Sequence, residues 1–166
     1  MNLSTGIGLQ VIRAAEYAAS RVPASEIVKR IEDARVDVRA SFVIDTLTYL
    51  ARGGRCSSVT ALLANTLKLH PIIGVKDGAM DVVKKLRGNI GHAIMTYVRS
   101  MEADLKKADP SRVFITHSGC SPEIVNEVRD YLKGLGHFDE VIETRAGGVI
   151  SSHCGPNTLG VLFYSK

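Results

Sequence analysis

Tryptophan is absent from the 166-residue chain, and its four Phe and five Tyr are dispersed. The aromatic platform interleaved with cations on which nucleic-acid bases stack is therefore missing. Cysteine occurs three times, at Cys56, Cys120 and Cys154, an odd, scattered set without a CxxC pair. That excludes a disulfide framework and points to free thiols in a reducing compartment. No apolar run approaches the roughly 20 residues of a membrane span, and the start, Met1-Asn2-Leu3-Ser4-Thr5-Gly6, lacks the charged-then-apolar layout of a signal peptide. A soluble, cytoplasmic protein is expected. Long Lys/Arg runs are missing too: 21 Lys and Arg against 17 Asp and Glu give a net charge of +4, a mildly basic surface that names no partner. No repeat or low-complexity linker interrupts the sequence. What is present, 45% hydrophobic and 23% charged residues, suffices for one globular domain with a real core.

Leu9, Val11, Ile12, Ala15, Ala18 and Ala19 recur at helical spacing and predict a helix over 5–21, apolar over much of its girth and stopped by Pro23. Ser25 is the expected N-cap of a second helix reaching Arg35. Residues 39–44 read as a buried strand of parallel-sheet type, and Asp45 as the cap of a short helix over 46–51. Gly53-Gly54 ends that helix. Ser57 or Ser58 starts the next, whose stripe includes Leu62, Leu63, Leu67 and Leu69 and stops before Pro71. Segments 72–75 and 80–83 flank Asp77-Gly78, a pair suited to the positive φ of a tight hairpin. One amphipathic helix is expected from Ile90 to Leu105, a strand over 113–116, a helix from Pro122 to Gly134, and strands over 141–143 and 159–164. Helices alternating with strands, plus one hairpin, give an α/β fold: a two-layer domain with a mixed β-sheet covered by helices.

Two loops stand out chemically. Arg52-Gly53-Gly54-Arg55-Cys56-Ser57-Ser58 sets paired glycines and two guanidinium groups before a helix, where free N–H groups and the helix dipole favour a carboxylate or phosphate. The plainer alternative is a helix end with solvated arginines. The second loop, 147–157, surrounds His153 with small residues, so a ligand can approach its backbone closely. His153 can donate to an anion, serve as a base for Cys154, or be satisfied by backbone. As a nucleophile Cys154 lacks an activating partner, because neighbours in an extended segment point to opposite sides. A zinc reading would pair His117 and Cys120 with His153 and Cys154, although the same residues suit a strand-to-helix turn before Pro122. His70, His92 and His137 have no ligand-like company, and Asp37, Asp45, Asp77 and Asp81 lie in separate turns, so no paired-carboxylate hydrolase site is visible. Lys84-Lys85-Leu86-Arg87 is either a solvated face or a patch that docks an acidic partner.

At these loops the sequence resembles the DegV family of bacterial fatty-acid-binding proteins. The resemblance rests on the run from Phe42 through Asp45-Thr46-Leu47 to Gly53-Gly54-Arg55, on Leu62-Leu63, and on Pro71-Ile72-Ile73-Gly74-Val75-Lys76-Asp77-Gly78. At the other end, His153-Cys154-Gly155-Pro156-Asn157-Thr158-Leu159-Gly160 is similar to the family's His-Thr-Gly-Pro-Gly-Ala-Leu-Gly, and Thr5-Gly6-Ile7-Gly8-Leu9 to its Gly-rich start of the central helix.

The resemblance implies a carrier that catalyses nothing itself. It implies a long-chain fatty acid in an apolar tunnel, presented to a fatty-acid kinase subunit that makes acyl phosphate. Neither cofactor nor metal is implied. Carried over by position, Arg55 and His153 hold the carboxylate, Gly53, Gly54, Ser57, Gly155 and Pro156 supply loop backbone, and Leu62, Leu63 and Ile94 line the acyl chain. Arg87, with Lys84 and Lys85, matches the family's basic position for kinase docking. The rival reading is an enzyme of the related dihydroxyacetone-kinase-like fold, or a His/Cys zinc protein. Cys56 stands in place of an aliphatic residue, Cys154 of a small hydroxyl residue and Asn157 of a glycine. The match begins partway through the family pattern. The chain is therefore expected to be a truncated form: residues 1–36 a helical connecting segment that packs on an absent N-terminal domain, and residues 37–166 the family's C-terminal α/β domain. Weak or no lipid binding by the isolated chain, and dimerisation through the apolar first helix, are expected with it.

Overall fold

A computed structural model describes residues 2–54, 69–76 and 78–165. Arg55, Cys56, Ser57, Leu62, Leu63 and the helix expected to carry them lie outside the described residues, as does Asp77. The chain opens with helices α1 (Thr5–Ala19) and α2 (Ala24–Ala34), then strand β1 (Val38–Val43) and the short helix α3 (Thr48–Arg52). The hairpin β2 (Leu69–Lys76) and β3 (Ala79–Arg87) follows, then α4 (Ile90–Ser100), α5 (Glu102–Leu105) and β4 (Arg112–Ser118). Helix α6 (Pro122–Gly134), β5 (Glu140–Arg145), α7 (Gly148–Cys154) and β6 (Thr158–Tyr164) complete it.

The strands form one six-stranded sheet in the order β3-β2-β1-β6-β4-β5. Only β4 and β5 run parallel, joined by the crossover helix α6; the other neighbours are antiparallel, so the sheet is mixed. Strand β1 is thus not of parallel type. It is antiparallel to both neighbours, and burial on both faces, which suggested otherwise, carries no information about direction.

Successive strand residues face opposite sides, and each side has its own core. On one side α4, α5 and α6 pack Ile94, Tyr97, Val98 and Val128 onto Val43, Ile72, Ile115 and Val161. The Tyr97 hydroxyl, buried in this layer and pushed up to about 12 by desolvation, donates to Ser41 O at 2.7 Å and accepts from Val161 N–H at 3.0 Å. On the other side α1 lays Leu9 against Val38, Ala40, Phe114, Leu162 and Tyr164, with the Arg13 guanidinium 3.7 Å over the Tyr164 ring. On that same side α3 and α7 cover Phe42, Ile44 and Ile73 with Leu50 and Cys154.

Several boundaries differ from expectation for local reasons. Ser25 lies inside α2, which begins after Pro23: the extended Pro23 sends its carbonyl to the N–H groups of Glu26 and Ile27, and no side chain caps the end. Asp45 does not cap α3, whose N-cap position is Leu47. The helix expected over 90–105 breaks at Met101, where Ser100 Oγ donates to Tyr97 O at 2.6 Å in competition with the helical ladder. The hairpin forms around Gly78 at φ 80, and β3 runs to Arg87, so Lys84, Lys85 and Arg87 belong to an edge strand. Among the described residues no helix is long and apolar enough to cross a membrane.

Candidate functional site

The α1 start, α3 and α7 leave a gap over the centre of the sheet. Into it face Ala40 and Phe42 of β1 and Thr158, Gly160 and Leu162 of β6, alternate residues of two paired strands. Leu3 and Ser4 close one end; Leu50, Val149, Ile150 and Cys154 wall the other. The result is a cavity of about 210 Å³ lined almost wholly by carbon. Sequence reading did not single out these wall residues, because β6 is buried along its whole length and shows no alternation.

His153 sits at the rim, on the last turn of α7. Its Nδ1 donates to Val149 O at 2.7 Å, which orients the ring and turns its Cδ2 edge toward Gly53. The approach is close: a methyl group at Gly53 would lie 2.3 Å from His153 Cδ2. The Gly-Gly loop and the His loop, 100 residues apart in sequence, thus meet at one rim.

Gly155 ends α7 at φ 80 and ψ 177, a conformation essentially restricted to glycine, and a methyl group there would lie 2.3 Å from the Tyr49 ring. Its carbonyl accepts from Ser118 Oγ, and Asn157 N–H donates to Ser118 O at 3.0 Å, so the rim loop is fastened to the end of β4. Pro156 is exposed at the tip of that loop, and Gly54 is exposed after α3 at φ 61.

Other expected residues fall elsewhere. Ile94 is fully buried in the α4 layer, on the opposite side of the sheet from the cavity, and does not line it. Strand alternation parts the basic cluster: Leu86 is buried on the α4 side with Lys84 beside it, whereas Lys85 and Arg87 share the cavity side. His70, which showed no ligand-like company, is 5% exposed and lies against Asp45. Segment 148–154 is helical rather than extended, so His153 and Cys154 diverge by a helical step and not by the alternation of a strand.

The residues of the zinc and nucleophile readings are engaged in the fold itself. His117 Nδ1 accepts from Cys120 N–H at 3.2 Å and its Nε2 donates to Glu143 at 3.1 Å, so one ring nitrogen serves the β4–α6 turn and the other ties β4 to β5. Among the described residues no group of three or more His, Cys, Asp or Glu side chains converges as a metal site. Burial pushes the Cys154 and Cys120 thiols up to about 11, which keeps them protonated and poorly nucleophilic.

A protein-family model described as "Uncharacterised protein, DegV family" matches residues 1–166. The chain belongs to the DegV family. A DegV domain-containing protein of Clostridium acetobutylicum is 30% identical over 160 residues, covering 96% of this chain and 55% of that protein. The structure of a DegV family protein from Thermus thermophilus, described by its fatty acid binding, superposes with a TM-score of 0.80 at 29% identity over 98% of this chain and 58% of its own. DegV of Bacillus subtilis, described as a fatty acid binding protein, gives 0.79 at 28% identity, covering 97% and 57%. The chain thus spans a little over half the length of these relatives. Asn157, expected in place of a glycine, adopts φ 58, the left-handed region that asparagine tolerates better than other side-chain-bearing residues.

Proposed function

We propose that the chain is a fatty-acid-binding carrier module, holding an acyl chain in the cavity between α1, α3 and α7 with the carboxylate at the rim by His153. The observation that carries this is the placement of a carbon-lined cavity directly inside the one rim where the Gly53-Gly54 and His153 loops meet. The fatty acid binding of the relatives from Thermus thermophilus and Bacillus subtilis supports the ligand class. Each methylene transferred from water to the cavity contributes about 0.8 kcal/mol, and a His153 imidazolium, with Nδ1–H on Val149 O, has Nε2–H left to donate to a carboxylate. Arg55, in the Gly-Gly-Arg match, is the second head-group residue in this reading, with a guanidinium fork suited to two carboxylate oxygens.

The carrier catalyses nothing and serves a fatty-acid kinase subunit in the cytoplasm, for which Lys85 and Arg87 on the cavity side of β3 are the better-placed docking cations. At about 210 Å³ the cavity is smaller than the roughly 300–1,000 Å³ of ligand sites that enclose their ligand, which supports weak binding by this chain alone. Ile7 and Val11, 50% and 61% exposed on α1, form the apolar face through which it would dimerise. The test is organic extraction and mass spectrometry of the purified chain, with titration of a fluorescent fatty acid into wild type and His153→Ala. Binding that weakens in the variant supports the assignment; equal binding by both removes His153 from the site, and no binding at millimolar ligand overturns the carrier reading.

A further inference from the structure

A line of polar contacts runs across the strand ends beside the cavity rim. His70, at the start of β2, places Nε2 3.0 Å from Gly88 O, beyond the end of β3, and Nδ1 3.1 Å from Asp45 O, just after β1. The Asp45 carboxylate reaches in two directions: Oδ1 lies 3.4 Å from His70 Nδ1, and Oδ2 accepts from Asn157 Nδ2 at 3.0 Å. Ile44 N–H, one residue earlier, donates to Pro71 O at 3.3 Å and fixes the same segment to β2. Gly88, His70, Asp45 and Asn157 thus form one chain across β3, β2 and β1 that ends on the rim loop leading into β6.

We infer that Asp45 and His70 are positioning residues that hold the rim loop 155–157 over the cavity through the Asn157 side chain. His70 is 5% exposed with a backbone carbonyl beside each ring nitrogen, of which the neutral ring donates to one and the imidazolium to both, so it is an anchor and not a freely rotating side chain. Anchored in turn, Asp45 fixes the outer edge of a loop whose inner edge Ser118 already holds. The loop connects Cys154 to Thr158, both walls of the cavity, so its opening is the local motion that uncovers the rim. A glycine at 157 supplies the same left-handed backbone and no such latch. The latch therefore slows exchange of the ligand; this last step rests on the fatty-acid reading.

Asn157→Gly isolates the side-chain contact, because glycine keeps φ 58 without strain. Release of a fluorescent fatty acid, followed by stopped flow, is expected to be about threefold to tenfold faster in Asn157→Gly, the effect of losing one ordinary, partly solvated hydrogen bond. Asp45→Ala should match it, the double variant should add nothing further, and Asp45→Asn, which keeps an acceptor for Asn157, should restore most of the slow release. Hydrogen exchange at the Asn157 amide gives a readout independent of any ligand: it should quicken in Asn157→Gly and Asp45→Ala, and no more in the double variant. Unchanged exchange in Asn157→Gly, or additive effects of the two single changes, overturns the latch. Quickened exchange in a protein that takes up no fatty acid upholds the positioning role and overturns the carrier reading alone.

Discussion

Replacing Gly53 by alanine separates ligand recognition from stability at the cavity rim. Gly53 has φ −75 and ψ −12, helical values that alanine adopts freely. The loss of backbone freedom in the unfolded chain is then worth about 0.4–1 kcal/mol to the variant. The added methyl, however, falls 2.3 Å from His153 Cδ2 and 3.3 Å from Nε2. Carbon atoms rest about 3.5–4.0 Å apart, so the imidazole must retreat by more than about 1 Å. Its 2.7 Å bond to Val149 O then stretches or breaks, at about 0.5–1.5 kcal/mol, which roughly offsets the backbone gain. The melting temperature should barely move. Affinity for a fatty acid should fall roughly tenfold to a hundredfold, the effect of losing an imidazolium hydrogen bond to a carboxylate at about 1.5–3 kcal/mol. Displacement of a fluorescent fatty acid, alongside thermal melts of the same samples, measures both. Gly53→Ala and His153→Ala should be non-additive. Wild-type affinity in Gly53→Ala would refute the placement of His153 at the head-group end.

Three further outcomes follow from the geometry. Gly155→Ala should lose roughly 2–4 kcal/mol in urea unfolding, since alanine resists φ 80 with ψ 177 and its methyl meets the Tyr49 ring; a loss under about 1 kcal/mol contradicts this. Tyr97→Phe orphans the Val161 N–H between β1 and β6 and should cost about 1–3 kcal/mol in the same assay, with a neutral result counting against the buried bond. Iodoacetamide at pH 8 should leave Cys120 and Cys154 unmodified in peptide mass spectra, because burial raises both thiols from 9.0 to about 11. Since the folded state holds these protons more tightly than the unfolded chain, stability should fall as pH rises between those two values, and rapid labelling at pH 8 would show the thiols to be accessible.

Elements governed by local chemistry were legible in the sequence. Asp77-Gly78 announced the hairpin because the turn's positive φ selects its own residues, and Pro122 announced the first turn of α6 for a similar reason. Direction and side were not legible. Helical spacing marks Ile94 as buried but does not say which side of the sheet α4 covers, and β1 is apolar whichever way its neighbours run. Helix α7 is not legible because its seven residues are mostly small and show no period. At the site, the two glycine-bearing loops were visible as unusual segments. The cavity between them was not, because its walls alternate along two strands buried on both faces. The role of His70 is not legible for a related reason: two of its partners are backbone carbonyls, which leave no trace in side-chain spacing.

The most direct test of the carrier account is a methyl NMR titration of this chain with a long-chain fatty acid labelled at its carboxyl carbon, which registers weak binding as well as strong. Binding in the cavity should shift the Ala40, Leu50, Ile150 and Leu162 methyls together and move the carboxyl resonance in wild type more than in His153→Ala. Shifts confined to Ile7 and Val11 on the exposed face of α1, or none at all at millimolar ligand, would contradict it.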